Sequence, residues 1–290
     1  MRSDLSRELL GREFQNPLLL AAGTAGFGRE LDGVLDLDRL GGLVTKAVSL
    51  QPRHGNAAPR VAEFPGGMLN SVGLANPGVE RVRDEYLPWL AERLVRARIL
   101  VNVVGFTVEE YAEVVRRLDG LPVITAFELN LSCPNTSAGG IEFGADAGCV
   151  RRIVSACRAR TRLPLVAKLS PVLPDVGAIA LVARDAGADA ISAVNTVPGV
   201  LFGEDGGMRL GHTSGGISGP ALLPMGVLAV SRILDRTGPM PVIGVGGVRS
   251  AGDVRQYLRA GASLVAVGTG GLADPRLPER IVRDLERDGA

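Results

Sequence analysis

Eight short runs of Val, Ile, Leu and Ala recur along the chain, and their spacing constrains the fold more than any other feature. They are Leu18–Ala22, Leu43–Val48, Ile99–Gly105, Ala126–Leu131, Leu165–Leu169, Ala190–Asn195, Val242–Val245 and Leu264–Gly268. Most of their positions are apolar in succession, without alternation, as in strands buried on both faces of a parallel sheet. Helix-length segments lie between most of them: Val108–Leu118, Ala147–Thr161, Val176–Ala186, Ala221–Arg236 and Ala251–Ala260. Ala-Gly-Ala at 186–188 and 260–262 puts a glycine where a helix stops and the next strand begins. Eight β-α units in 290 residues predict an α/β fold, a (β/α)8 TIM barrel, formed by residues 1–290 as one domain. An open doubly wound sheet competes, but no G-x-G-x-x-G follows the first run.

Two connections are too long for simple βα turns. Residues 49–98 begin with a stretch rich in Pro, Gly and Asn, Ser49–Asn76, which predicts an ordered excursion over the barrel top before a helix at Glu80–Val95. Pro198–Gly216 is polar and Gly-rich and reads as a mobile flap. Residues 1–14 read as a hairpin closing the barrel bottom.

Charge narrows the function classes. The 32 basic and 31 acidic residues nearly cancel, which gives no electrostatic footprint for nucleic acid or an anionic membrane. No run approaches the roughly 18 apolar residues of a spanning helix, and Met1–Leu10 lacks the apolar stretch of a signal peptide. Cys133, Cys149 and Cys157 form no C-x-x-C pair, and two histidines are too few for a zinc site; the chain reads as cytoplasmic, with no resident metal.

The basic residues are 30 arginines and only two lysines, Lys46 and Lys168. Arginine cannot replace a compact ammonium in a confined site, although two surviving surface lysines are the bland alternative. Both lysines fall near the C-terminal ends of predicted strands, where barrels carry their sites. Five of the eight asparagines, Asn70, Asn102, Asn130, Asn135 and Asn195, fall there or in the long top loop. Amides that donate and accept suit a planar ligand edged with N–H and C=O groups, such as a flavin or a pyrimidine. Gly244–Gly247 and Gly268–Gly271 end the seventh and eighth runs and leave backbone N–H groups for a phosphate. Cys133 follows a strand end among polar residues, where a thiol can act as acid, base or nucleophile; a small buried hydrophobe is the alternative. Cys149 and Cys157 read as helix packing.

Asn130–Asn135 (NLSCPN), followed by Gly139-Gly140 and Phe143-Gly144, resembles the active-site loop of class 1 dihydroorotate dehydrogenases. The resemblance runs nearly end to end, through NPLLLAAGTAGFG (16–28), TKA (45–47), PRHGNAAPRVAE (52–63), GMLNSVGLANPG (67–78), AKLSP (167–171), VNT (194–196), GGISGPA (215–221), IGVGGV (243–248) and VGTG (267–270). The GG…FG pattern and the PRHGN stretch look like subclass B more than the fumarate-using subclass A. The resemblance implies FMN-dependent oxidation of (S)-dihydroorotate to orotate in pyrimidine synthesis, with Cys133 taking the C5 proton and the C6 hydride going to N5 of FMN. It implies that Lys46, Asn70, Ser71, Val72, Gly73, Leu74, Asn130, Asn135, Asn195 and Thr196 hold the substrate. It implies FMN contacts from Ala22, Lys46, Ala47, Asn102, Asn130, Lys168, Val194, Gly219, Gly246, Gly247, Gly268 and Thr269. At Ala22 the family pattern has a serine toward FMN, and the flap at 197–214 has a sequence of its own. Subclass B further implies a catalytic homodimer within a heterotetramer, whose partner subunit carries FAD and a [2Fe–2S] cluster and reduces NAD⁺.

Three other readings are weighed against this one. A dihydropyrimidine dehydrogenase-like barrel resembles the same segments but usually has His where this chain has Asn135. A Schiff-base aldolase would use Lys168 and leave Cys133 and the asparagines unexplained. A non-catalytic scaffold would have no use for the amides, both lysines and Cys133 together.

Overall fold

The computed structural model describes residues 5–132, 134–135, 141–142 and 146–288. Eight parallel strands close into a barrel: β1 (Leu18–Leu20), β2 (Gly42–Val44), β3 (Arg98–Val103), β4 (Ile124–Asn130), β5 (Leu165–Leu169), β6 (Ala190–Ala193), β7 (Val242–Val245) and β8 (Leu264–Val267). Each pairs with the next in sequence, and β8 returns to β1. The barrel expected from the apolar runs is therefore present, and the open sheet is not.

Successive side chains along a strand point to opposite sides, so the barrel sorts residues by parity. On β3, Ile99, Val101 and Val103 join the cluster under the helices, while Leu100 faces inward. The inward cluster gathers Leu19, Val44, Leu100, Ala126, Val166 and Leu264 from different strands. Phe14, fully buried, enters this cluster from below at the end of the hairpin Arg7–Leu9/Arg12–Phe14. The hairpin thus closes the bottom, as its sequence predicts.

Several expected boundaries shift, each for a local reason. The second run extends to Val48, but β2 ends at Val44 because the ladder is interrupted at Lys46, whose N–H donates to Gly26 O; Val48 then rejoins β3 as an isolated parallel bridge with Val103, its N–H donating to Asn102 O. The sixth run extends to Asn195, but β6 ends at Ala193. The helix expected at Glu80–Val95 runs from Val79 to Arg93 and passes through a π-helical turn at Val82–Tyr86. Helices Thr269–Ala273 and Leu277–Asp288 complete the chain without having been singled out in the sequence.

The two long excursions form one antiparallel roof in the order Val197–Gly199, Gly215–Ser218, Gly67–Asn70, Val61–Phe64. The flap expected at Pro198–Gly216 is therefore rooted at both ends in a sheet. Asn76 closes the first excursion: it exchanges two backbone bonds with Arg53, and its Oδ1 accepts from the N–H groups of Ser49 and Gly78.

Because Phe14 fills the barrel base, Phe14→Ala is expected to destabilise the fold by about 3–5 kcal/mol, read as a lowered urea midpoint. A loss below about 1 kcal/mol would mean the base is sealed by other side chains.

Candidate active site

Above the apolar base the inward positions turn polar. Asn102 on β3, Glu128 on β4, Lys168 on β5 and Ser192 on β6 all point into the barrel and are buried. The ladder aligns them: Asn102 lies opposite Glu128, and Asn130 opposite Lys168, which lies opposite Ser192. Asn102 Nδ2 donates to Glu128 Oε1 at 2.7 Å, and Lys168 Nζ stands 3.6 Å from the same oxygen. Thr45, also buried, accepts the Asn102 N–H through Oγ1 (3.2 Å) and donates its hydroxyl to Lys46 O at 3.0 Å. The surface-lysine alternative fails for Lys168, which keeps only 8% of its side-chain area exposed.

At the mouth, Asn195 Nδ2 donates to Asn130 Oδ1 (3.3 Å), and the Tyr111 hydroxyl donates to Asn130 O (2.5 Å). Asn195 Oδ1 in turn accepts the Thr196 N–H at 2.8 Å. Thr196 packs against Gly216, leaving no room there for a Cβ, and Gly216 pairs in the roof with Asn70. Asn70 Nδ2 donates to Gly216 O at 3.0 Å. Asn130, Asn195, Thr196 and Asn70 therefore form one continuous rim. Lys46, half-buried just past β2, has no ion-pair partner among the described residues.

The segment Ser71–Leu74 is shaped by the PRHGN loop. Asn56 Nδ2 donates to Ser71 Oγ at 2.8 Å, Asn56 N–H donates to Val72 O, and Ser71 N–H donates to Arg60 O. Gly73 (φ +70°) and Leu74 (φ +58°) then make a left-handed turn. Val194 and Ala47 are buried, and the Val194 N–H is committed to Val245 O.

On the opposite side three turns meet. Gly246 and Gly247 have positive φ, and Gly247 lies against the Leu223 backbone at the start of helix Leu222–Thr237. Gly219 lies against Gly67 in the roof. Gly268 precedes Thr269, whose Oγ1 donates to Ser218 Oγ at 2.7 Å, and Gly268 faces Ala21 next to Ala22. Tyr257, with its hydroxyl pushed far up by burial, donates to Gly246 O at 2.8 Å and supports this turn.

Among the described residues five buried side-chain polar atoms lack a hydrogen-bond partner, and four of them belong to this mouth: Asn102 Oδ1, Ser132 Oγ, Ser170 Oγ and Ser192 Oγ. Buried polar groups without partners are rare, and their concentration here marks a ligand-shaped demand. Glu128, Thr45, Ser170, Ser192 and Ser218 were not singled out from the sequence. Glu128 carried a signal, a lone charge within an apolar strand. Cys133 lies outside the described residues, as do Gly139-Gly140 and Phe143-Gly144; Asn135 is placed by its backbone, paired with Ile141. No cluster of metal-ligating side chains and no helix long and apolar enough to cross a membrane occurs among the described residues.

The family model described as dihydroorotate dehydrogenase matches residues 4–288. The chain belongs to the dihydroorotate dehydrogenase family. It is accordingly an oxidoreductase of a flavin-dependent family. Three similar relatives are each named dihydroorotate dehydrogenase B (NAD(+)), catalytic subunit. That of Pelobacter propionicus is 43% identical over 288 residues, covering 99% of this chain and 94% of the relative. That of Desulforudis audaxviator is 45% identical over 280 residues, covering 96% and 90%. That of Trichlorobacter lovleyi is 41% identical over 288 residues, covering 99% and 94%. The resemblance to subclass B read from the sequence agrees with these names.

Cys149 and Cys157 are buried in helix Ala147–Arg158, as packing residues should be. Burial pushes the Cys157 thiol up to about 12 from an ordinary 9.0. Iodoacetamide at pH 8 is therefore expected to leave both unlabelled in the native protein and to label both after denaturation, read by peptide mass spectrometry. Between about pH 9 and 12 the unfolded Cys157 has lost its proton while the folded one keeps it, so stability falls as pH rises through this window. The thermal midpoint should decline there, and less steeply in Cys157→Ala.

Proposed function

We propose that this chain is the catalytic subunit of a class 1, subclass B dihydroorotate dehydrogenase, which oxidises (S)-dihydroorotate to orotate in cytoplasmic pyrimidine synthesis. The observation that carries the reading is the rim of Asn70, Asn130, Asn195 and Thr196 above a buried lysine, in a chain of this family.

The residues present fit a flavin mononucleotide. Asn102 Oδ1, Ser170 Oγ and Ser192 Oγ are buried without partners among the described residues inside the upper barrel, where a ring edged with donors and acceptors would satisfy them. The glycine turns at Gly246-Gly247 and Gly268-Thr269, with Gly219 beside them, give a phosphate close access to backbone N–H groups. Lys46, Ala47, Asn102, Asn130, Lys168 and the Val194 carbonyl would hold the rest of the cofactor. Ala22 contributes no hydrogen bond, and Thr24, buried near Gly268, is the closest hydroxyl on that loop. When bound, FMN supplies the acceptor for the hydride that leaves C6 of the substrate.

Cys133 takes the proton from C5 as a general base. Lys46, free of any described carboxylate, pairs with the substrate carboxylate, and the amides of Asn70, Asn130, Asn135 and Asn195 with Thr196 hold the ring N–H and C=O groups. Ser71–Leu74 closes over it. Lys168 favours negative charge developing above it during the reaction. The electrons leave through a partner subunit that carries FAD and a [2Fe–2S] cluster, with NAD⁺ as final acceptor, on a homodimeric core in a heterotetramer. The names of the relatives support that division of labour over the fumarate-using subclass A. Asn135 supports dihydroorotate over the pyrimidines of dihydropyrimidine dehydrogenases.

An anaerobic spectrum tests the reading: the purified protein is expected to show bound FMN that bleaches on adding dihydroorotate but not dihydrouracil. A flavin that stays oxidised with dihydroorotate overturns the substrate assignment. Cys133→Ser should keep FMN while slowing that bleaching by about 10²–10⁴-fold, because a hydroxyl is a far poorer base than a thiolate. Reduction at the wild-type rate, followed by stopped flow, would rule Cys133 out.

A further inference from the structure

Among the described residues Glu128 is the only buried carboxylate and Lys168 the only buried cationic side chain. Taking two charges out of water costs more than their attraction commonly returns, and an apolar pair of the same shape serves packing as well or better. Stability alone therefore gives no account of the pair. Its position does: both side chains sit in the inward row just above the apolar base and beneath the rim.

The chemistry of the carboxylate is one-sided. It can only accept, so Asn102 must turn its NH2 toward Glu128 Oε1, where the 2.7 Å bond is made. The other end of the amide, Oδ1, is then buried with no partner among the described residues. Glu128 thereby fixes Asn102 as an acceptor toward the site, one that a ring N–H can satisfy and a ring carbonyl cannot. The same Oε1 lies 3.6 Å from Lys168 Nζ and tethers that ammonium from below. Lys168 stands farther along the barrel axis, since Glu128 is opposite Val166, two residues before it. The cation thus lies nearer the mouth and the anion behind it.

We propose that Glu128 is the positioning residue of the cofactor site: a buried anion that sets the polarity of Asn102, holds Lys168 in place, and offsets part of the lysine's pull on electrons entering the flavin. The inference rests on the flavin reading above and extends it to a residue that touches neither cofactor nor substrate. Glu128→Gln removes the charge at nearly constant shape and lets the amide at 128 present either end to Asn102. Lys168 then acts without its counter-charge.

The test uses FMN affinity, from fluorescence titration of the apoprotein, and the two-electron midpoint potential, from dye equilibration with dithionite as reductant. Glu128→Gln is expected to weaken FMN binding about tenfold and to shift the potential upward by about a tenfold change in the oxidised-to-reduced ratio, ~30 mV for a two-electron couple. Glu128→Asp keeps the charge but retracts it, so its potential should stay near wild type while FMN binding remains weaker. A Glu128→Gln protein with wild-type affinity and potential and only a lowered thermal midpoint overturns the proposal, because a packing role predicts that pattern. If Glu128→Gln fails to fold, Glu128→Asp decides: wild-type FMN affinity in that variant overturns the proposal as well. No substrate enters these measurements. A wild-type protein that binds FMN but ignores dihydroorotate therefore sinks only the substrate assignment, while one that takes up no FMN sinks both.

Discussion

Closure of the parallel ladder is the constraint on which the rest depends. With every strand bonded on both sides, no edge remains, and each strand must send alternate residues into one shared interior. That interior is narrow, so its contents are decided by a few positions per strand. The lower positions are Leu19, Val44, Leu100, Ala126 and Val166, with Phe14 as plug. One step up, the same parity delivers Asn102, Glu128 and Lys168. A polar group there has no water to fall back on and must meet a neighbouring strand or a ligand. Glu128 meets Asn102 and Lys168; Asn102 Oδ1, Ser170 Oγ and Ser192 Oγ have no partner among the described residues.

The roof solves a second problem. A barrel mouth that holds small polar molecules has to be covered without blocking entry, and two long connections from different strands do this jointly. One follows β2 and the other follows β6, and they pair through Gly67–Asn70 and Gly215–Ser218. This pairing carries Asn70 to Gly216 by a hydrogen bond and Gly216 to Thr196 by direct packing, so the roof and the rim are one connected unit. A shift in either excursion would move rim amides held by the other.

Much of the fold was legible because buried parallel strands leave a plain mark. The segments Leu165–Leu169, Val242–Val245 and Val108–Leu118 form with the boundaries read from the sequence. The ends differ where the regular ladder is interrupted, as at Lys46 before Val48, or continues past the strand as single bonds, as from Val194 to Val245 O and from Asn195 to Leu169 O. The glycines and polar residues of Pro198–Gly216 predict a mobile flap, yet its ends are strands, because backbone pairing there needs no apolar pattern. The two lysines and the asparagines were found from their rarity and their place at strand ends. Glu128 is a lone acid inside an apolar run, a signal whose meaning depends on its two partners, Asn102 and Lys168.

The sequence by itself determined the eight-strand alternation, the positions of Lys46, Lys168 and the amides at strand ends, and a motif set that resembles one enzyme family from end to end. These are local properties, written in apolar periodicity and in short strings of residues. Tertiary structure alone decided which of those residues meet. Asn102 and Glu128 are 26 residues apart, and Asn130 and Asn195 are 65 apart. Asn70 and Gly216 are separated by 146. Such contacts depend on the register between neighbouring strands and on closure of the ring, and neither is encoded in any one segment.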